Sequence, residues 1–159
     1  MSTPFTSAEA QRTVELLASR PLVRLVTEID DNGAIPPRRL AGTLPDLSTH
    51  QLRSASDTAR AHGLIRIAPG IGLELTEDGM ELAGLYDAMA RWARRHAVPA
   101  PVCEFSSRIR HVLALLAPSL ITERADGAEA GLARLRTLLI QWLAENLQVA
   151  RVSEPEPVA

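Results

Sequence analysis

Side chains that can make several hydrogen bonds are concentrated between positions 48 and 57. Four of them follow the spacing i, i+3, i+4, i+7, which places them on one surface of a helix: His50, Arg53, Ser54 and Asp57. An arginine at such a position can make a forked contact to the O6 and N7 atoms of guanine. Residues at the N-terminal end of the same helix can reach bases or phosphates: Ser48, Thr49, His50 and Gln51. The pattern indicates hydrogen bonding to duplex nucleic acid.

Positive charge is concentrated around the same segment. The chain has a formal net charge of −2, yet residues 36–66 contain more arginines than acids. The arginines are Arg38, Arg39, Arg53, Arg60 and Arg66, and the acids are Asp46 and Asp57. Because the distribution of charge matters more than its sum, we expect Arg38 and Arg39 to contact phosphates and Arg66 to contact the nearby backbone or minor groove. A solvated surface that binds nothing is the alternative interpretation.

Local signals place these residues in a helix-turn-helix that is followed by a hairpin. After a short helix at about 38–44, Ser48 begins the second helix with a capping box completed by Gln51, and Gly63 follows its C-terminal end. The stripe expected to point inward is Leu52, Ala55 and Ala59. Short strands at 64–67 and 73–75 around a tight turn predict a β-hairpin. This order is the one that places a recognition helix in the major groove.

Further helices are expected on both sides of this segment. Thr6 begins a capping box, and apolar residues at helical spacing continue to Ile29. Pro21 is expected to split this stretch into two helices or to kink a single one, because proline lacks an N–H and clashes with the preceding turn. Thr76 begins a long helix that continues to about His96.

The last third of the chain predicts a helical extension. Its helices are expected at about 102–116 and 129–148, and the Pro/Glu-rich end is expected to be disordered. The chain is therefore divided into a winged helix-turn-helix DNA-binding domain at 1–97, the extension at 98–150 and a disordered tail at 151–159. The extension completes the core or a dimer, or it binds an effector or partner. Cys103 and Trp142 are the residues to test for the second role.

Composition and motifs argue against several other classes of protein. A single cysteine excludes an internal disulfide and a cysteine-rich zinc site, and the four histidines lack metal-ligand spacing. No G-x-S-x-G nucleophile motif is present, and no window is long and apolar enough for a membrane span. We therefore expect a cytoplasmic protein that is not an enzyme and has no catalytic residues, cofactor, metal or membrane partner.

Three segments and one tryptophan resemble the HxlR-type winged-helix regulators. The segments are residues 47–52, 61–66 and 73–79, and Trp92 stands where that family commonly has a tryptophan near the end of its long helix. The resemblance covers about residues 20–96. It implies a homodimer held by terminal helices, which binds a palindromic operator on double-stranded DNA and acts as a local repressor or activator. The fold it implies is mostly α, with a two-stranded hairpin as the wing.

Two alternatives to this function stay open. Asp57 stands where the family usually has a phosphate-contacting arginine, and the net charge is negative. Both observations favour a winged-helix protein-interaction module with little DNA affinity. The second alternative is a ligand-controlled regulator that senses a small molecule through its C-terminal helices. The family's N-terminal cysteine is also replaced, since Ser19-Arg20-Pro21-Leu22 occupies that region.

Overall fold

The computed structural model describes residues 6–121 and 129–146. In chain order the α-helices are α1 (Ser7–Leu17), α2 (Arg20–Asn32), α3 (Leu40–Thr43), α4 (Thr49–Ala61), α5 (Glu77–Arg95), α6 (Phe105–Ile121) and α7 (Ala130–Glu145). A short 3-10 helix, Pro37–Arg39, leads directly into α3. The strands β1 (Ile65–Ala68) and β2 (Gly72–Leu75) form an antiparallel hairpin. This part of the chain is mostly helical, and its element order is compatible with a winged helix.

Of the two outcomes expected at Pro21, the structure shows a break between two helices rather than one kinked helix. Thr6 and Glu9 form the capping box of α1, with each side chain bonded to the other residue's backbone N–H. Pro21 lies in the first turn of α2, where a missing N–H costs nothing because no carbonyl is available to accept from it. Gly33 ends α2 with a φ of 91°, a conformation that glycine adopts without strain.

The hairpin is extended by a contact that the sequence did not predict. Ile35 forms an isolated bridge to Leu73, with N···O distances of 3.0 and 2.8 Å. Gly72 has a φ of 124°, and a Cβ there would lie 2.5 Å from the carbonyl oxygen of Ile35. Only glycine therefore allows the segment before α3 to approach β2 this closely.

Helix α5 occupies the centre of the core. It packs against α2, α6 and α7, and nine of its residues are buried. Tyr86 is fully buried and its hydroxyl donates a hydrogen bond of 2.6 Å to the carbonyl of Leu17. Burial raises the pKa of Tyr86, so the hydroxyl stays protonated and remains a donor. The bond ties the end of α1 to the middle of α5.

The sequence misplaced the first helix of the extension. Helix α6 begins at Phe105 rather than near residue 102, and it continues through Pro118 to Ile121 instead of ending near 116. An interior proline costs about 3 kcal/mol. Leu116 and Leu120 are buried on either side of it, so tertiary packing outweighs the local preference to stop.

The second helix of the extension is shorter than expected. Helix α7 begins at Ala130, and Glu129 caps it by accepting from the backbone N–H of Gly131 and Leu132. It ends at Glu145 with Asn146 as its C-cap, and positions 147–148 of the predicted helix and the predicted disordered tail lie outside the described residues. No described helix is long and apolar enough to cross a membrane.

We predict opposite effects for alanine at two glycines of α5. A Cβ at Gly79 would lie 2.0 Å from the backbone carbonyl oxygen of Leu64, whereas a Cβ at Gly84 meets no atom within 4 Å. Gly79→Ala should lower the free energy of unfolding by about 1–3 kcal/mol through overpacking. Gly84→Ala should raise it by about 0.5–1 kcal/mol through helix propensity. Urea unfolding measures the free energy of unfolding of both variants. Equal changes in the two would contradict the close packing of α5 against Leu64, the residue before β1.

Candidate nucleic-acid interface

Helix α4 presents the surface that the sequence predicted. Leu52, Ala55 and Ala59 are buried, and through them α4 packs on α2. The opposite surface, here called the α4 exposed face, consists of His50, Arg53, Ser54 and Asp57, all of them exposed. The predicted helical spacing therefore brings these four side chains to one accessible surface.

The N-terminal end of α4 is held by two of the predicted contact residues. The Ser48 hydroxyl accepts from the backbone N–H of Gln51 at 3.1 Å, and the backbone N–H of Ser48 donates to Oε1 of Gln51 at 2.9 Å. The capping box thus occupies one oxygen of each side chain. The Ser48 O–H and the Gln51 amide NH₂ remain as donors for a ligand. Thr49, the first residue of α4, is exposed beside them.

One edge of the α4 exposed face borders a groove. His50, Gln51 and Ser54 line it together with Leu16 and Pro21, from the corner between α1 and α2, and its volume is about 270 Å³. Arg53 and Asp57 are not among its lining residues. The face is therefore divided into a recessed edge with small polar groups and an open part with the charged groups.

The open part of the α4 exposed face contains charges of both signs. Neither Arg53 nor Asp57 forms an ion pair with another residue of the two described ranges. Arg60 is also exposed, and its i+7 spacing from Arg53 places both arginines on one stripe of the helix. Arg60 was counted in the basic segment but not predicted as a contact residue, although this spacing was visible in the sequence.

Arg38 and Arg39 lie in the 3-10 helix that leads into α3, and α3 packs against α4. Both side chains are exposed, and neither forms an ion pair within residues 6–121 and 129–146. The Arg39 carbonyl accepts from the Thr43 hydroxyl at 2.7 Å, which fixes the backbone of this turn. The two guanidinium groups are therefore available for an anionic ligand.

Arg66 has a different environment from the other predicted phosphate contacts. It lies opposite Glu74 in the hairpin, and its Nε donates to the Glu74 carboxylate at 2.6 Å. This cross-strand pair balances the charge of Arg66, although 68% of its side chain is exposed. The neighbouring Ile67 and Ile71 are exposed as well. The hairpin therefore presents an apolar surface and a neutralised arginine.

An ion-pair cluster fixes the turn that precedes α4. Asp46 accepts two bonds from Arg24, at 2.8 and 2.9 Å, and one from Arg20 at 2.7 Å. Arg20 also donates to Glu104 at 2.8 Å, just before α6. The Arg24 guanidinium, with Arg20 beside it, holds the pKa of Asp46 well below its usual range. These arginines are therefore engaged within the protein, and they connect the α4 turn to α2 and to the extension.

The cysteine and the acidic residues do not form a metal centre among the described residues. No group of three His, Cys, Asp or Glu side chains in these ranges is arranged to hold a metal ion. Cys103 is half-buried, and its thiol donates to the carbonyl of Ala100 at 3.5 Å.

Comparison with known proteins finds no family model, no curated protein and no solved structure that matches this chain. The resemblance to HxlR-type regulators therefore stays a prediction that depends on the three sequence segments and Trp92.

We predict that Asp46→Asn destabilises the protein in a pH-dependent way. The pKa of Asp46 is lower in the folded than in the unfolded protein, so its contribution is complete above the unfolded value of about 4 and is lost as the pH falls toward the folded value. At pH 7 the substitution should lower the free energy of unfolding by about 1 kcal/mol, and the difference should shrink below about pH 4.

Urea midpoints between pH 3 and pH 7 provide the measurement, with Asp57→Asn as the matched control. The Asp57→Asn variant removes the same charge from an exposed position, and Asp57 forms no ion pair among the described residues. A loss for Asp46→Asn that is independent of pH would show that the ion pairs do not contribute.

Proposed function

We propose that this chain is a sequence-specific DNA-binding transcriptional regulator, which binds a palindromic operator as a homodimer. The observation that supports the proposal is the geometry of α4. It is a capped helix of 13 residues with an apolar side on α2 and an arginine-containing face open to solvent. The major groove of B-DNA, about 12 Å wide, accommodates such a helix.

The exposed groups suggest separate roles in binding. Arg53 has the fork that suits guanine, and the donors of His50 and Thr49 are close to the N-terminal end of α4, where recognition helices contact bases. Arg38 and Arg39 would neutralise phosphates on one side. Arg60 would do so further along the helix.

The dimer is supported by apolar surface on the extension. Phe105 and Leu115 on α6 are 36% and 43% exposed. Large exposed apolar groups on a helix are suited to a contact with a second copy. A two-fold dimer presents its two recognition helices about one turn of DNA apart, and the operator would then be palindromic.

A protein-interaction module is the second candidate function. Asp57 lies on the α4 exposed face, where it would repel phosphates, and the hairpin exposes Ile67 and Ile71 beside the neutralised Arg66. An apolar hairpin suits a protein surface better than a phosphate backbone.

We predict that Arg53→Gln weakens binding to a specific site by about ten- to hundredfold, because one bidentate guanine contact is lost. The site is first selected from genomic fragments with the purified protein, and affinity is then measured by fluorescence anisotropy across a salt series. Affinity should fall steeply with salt, since phosphate neutralisation releases counterions. Arg110→Gln, an exposed arginine on α6, is the control and should bind like the wild type. Unchanged affinity for Arg53→Gln would refute the proposed contact.

We predict the reverse effect for Asp57→Asn. Removing a negative charge from the α4 exposed face should strengthen DNA binding several-fold, and the gain should be larger at low salt because screening is weaker there. The same anisotropy series measures it. If neither the wild type nor Asp57→Asn retains any genomic fragment at low salt, the protein-interaction function replaces DNA binding.

A further inference from the structure

A cavity lies between the C-terminal half of α5 and the N-terminal half of α7, away from the α4 exposed face. Its volume is about 540 Å³, within the range in which proteins bind small molecules. All of its lining residues lie in the two described ranges. They include three arginines: Arg91 and Arg95 from α5, and Arg134 from α7. None of these arginines has a role in the proposed DNA contact.

The aromatic wall of the cavity is rigid. The rings of Trp92 and His96 stack with centroids 4.0 Å apart and an angle of 20° between their planes. The Trp92 indole N–H donates to Glu129 at 2.6 Å, and Nδ1 of His96 is bonded to the Trp92 carbonyl at 2.7 Å. A Cβ at Gly131 would lie 2.9 Å from the indole, so glycine allows α7 to approach the ring this closely. The wall therefore exists before any ligand binds.

The charges of the cavity do not cancel. Arg91 pairs with Asp87 on its own helix, and Glu129 is ionised because the N–H of Gly131 and the Trp92 indole lower its pKa. Arg95 and Arg134 form no ion pair with any residue in the described ranges. Glu129 is the only acid among the lining residues, and its carboxylate contacts Trp92 and, at 3.6 Å, Nε2 of His96 rather than either arginine. The lining therefore keeps a net positive charge on Arg95 and Arg134.

The cavity also has an apolar part, which indicates the kind of ligand that it fits. Ala88, Leu135 and Leu138 line the same cavity as the arginines and the stacked rings. A planar apolar body can therefore lie against the rings and the leucines while a charged group contacts the guanidinium forks. We propose that this cavity binds an aromatic monocarboxylate, with Arg95 and Arg134 holding the carboxylate and the ring lying against the stacked Trp92–His96 pair.

The sequence contained a signal for this site that was not used. Arg91 and Arg95 have i, i+4 spacing, and so do Trp92 and His96 on the adjacent stripe of the same helix. The third arginine comes from α7, and no local pattern connects it to α5.

Isothermal titration calorimetry of the purified full chain with 1-naphthoate tests the site. We expect saturable binding by the wild type and none by 1-naphthamide, which has the same shape without the charge. Arg95→Gln and Arg134→Gln should each weaken binding by about tenfold or more, because each removes a charge-assisted bond. Arg94→Gln is the matched control, since Arg94 is exposed on α5 directly before Arg95 but does not line the cavity.

Several results would overturn the proposal. They are no binding of 1-naphthoate at millimolar concentration, equal binding of 1-naphthamide, or equal weakening by Arg94→Gln and Arg95→Gln. Tighter binding of 1-naphthyl phosphate would show that the cavity takes a dianion instead. All three glutamine variants change exposed residues, and circular dichroism checks that each is folded. The titration contains no DNA, so its outcome is independent of operator binding.

Discussion

The junction between α4, the hairpin and α5 is the contact on which the rest of the structure depends. The Thr76 backbone N–H donates to the Leu64 carbonyl at 3.0 Å, its hydroxyl donates to the Gly63 carbonyl, and that same hydroxyl oxygen accepts from Gly79 at 3.2 Å. The end of α4, the start of the hairpin and the start of α5 are thus joined by one threonine. Gly79 lets α5 approach the Leu64 carbonyl closely, so the first turn of α5 packs directly on the residue that precedes β1.

The arginines near α4 and the hairpin have two kinds of environment, and the difference decides which of them can bind a ligand. Arg20 and Arg24 are engaged by Asp46, and Arg66 by Glu74, so their charges are balanced inside the protein. Arg53 and Arg60 on α4 are exposed, as are Arg38 and Arg39 before α3. A count of charges along the sequence cannot separate these groups, because it ignores which acid lies opposite which base.

Helix α5 connects the two candidate sites. Its first turn packs beside the hairpin, and its last turn forms the wall of the cavity with Trp92 and His96. Helix α7 lies along it: Glu129 bonds to Trp92 at one end, and the Trp142 indole donates to the Asp78 carbonyl at the other. A ligand held between α5 and α7 would therefore contact the same helix that supports the hairpin.

Local interactions were determined by the sequence alone, and long-range ones were decided only by the tertiary structure. The capping boxes at Thr6 and Ser48, the break at Pro21 and the stripe on α4 depend on residues within one or two turns, so spacing is enough to predict them. Other features depend on distant or cross-strand neighbours. They are the Ile35–Leu73 bridge, the continuation of α6 through Pro118, the Arg66–Glu74 pair and the position of Arg95 and Arg134 in one cavity. Their energies come from packing and charge pairing, which have no local period in the sequence.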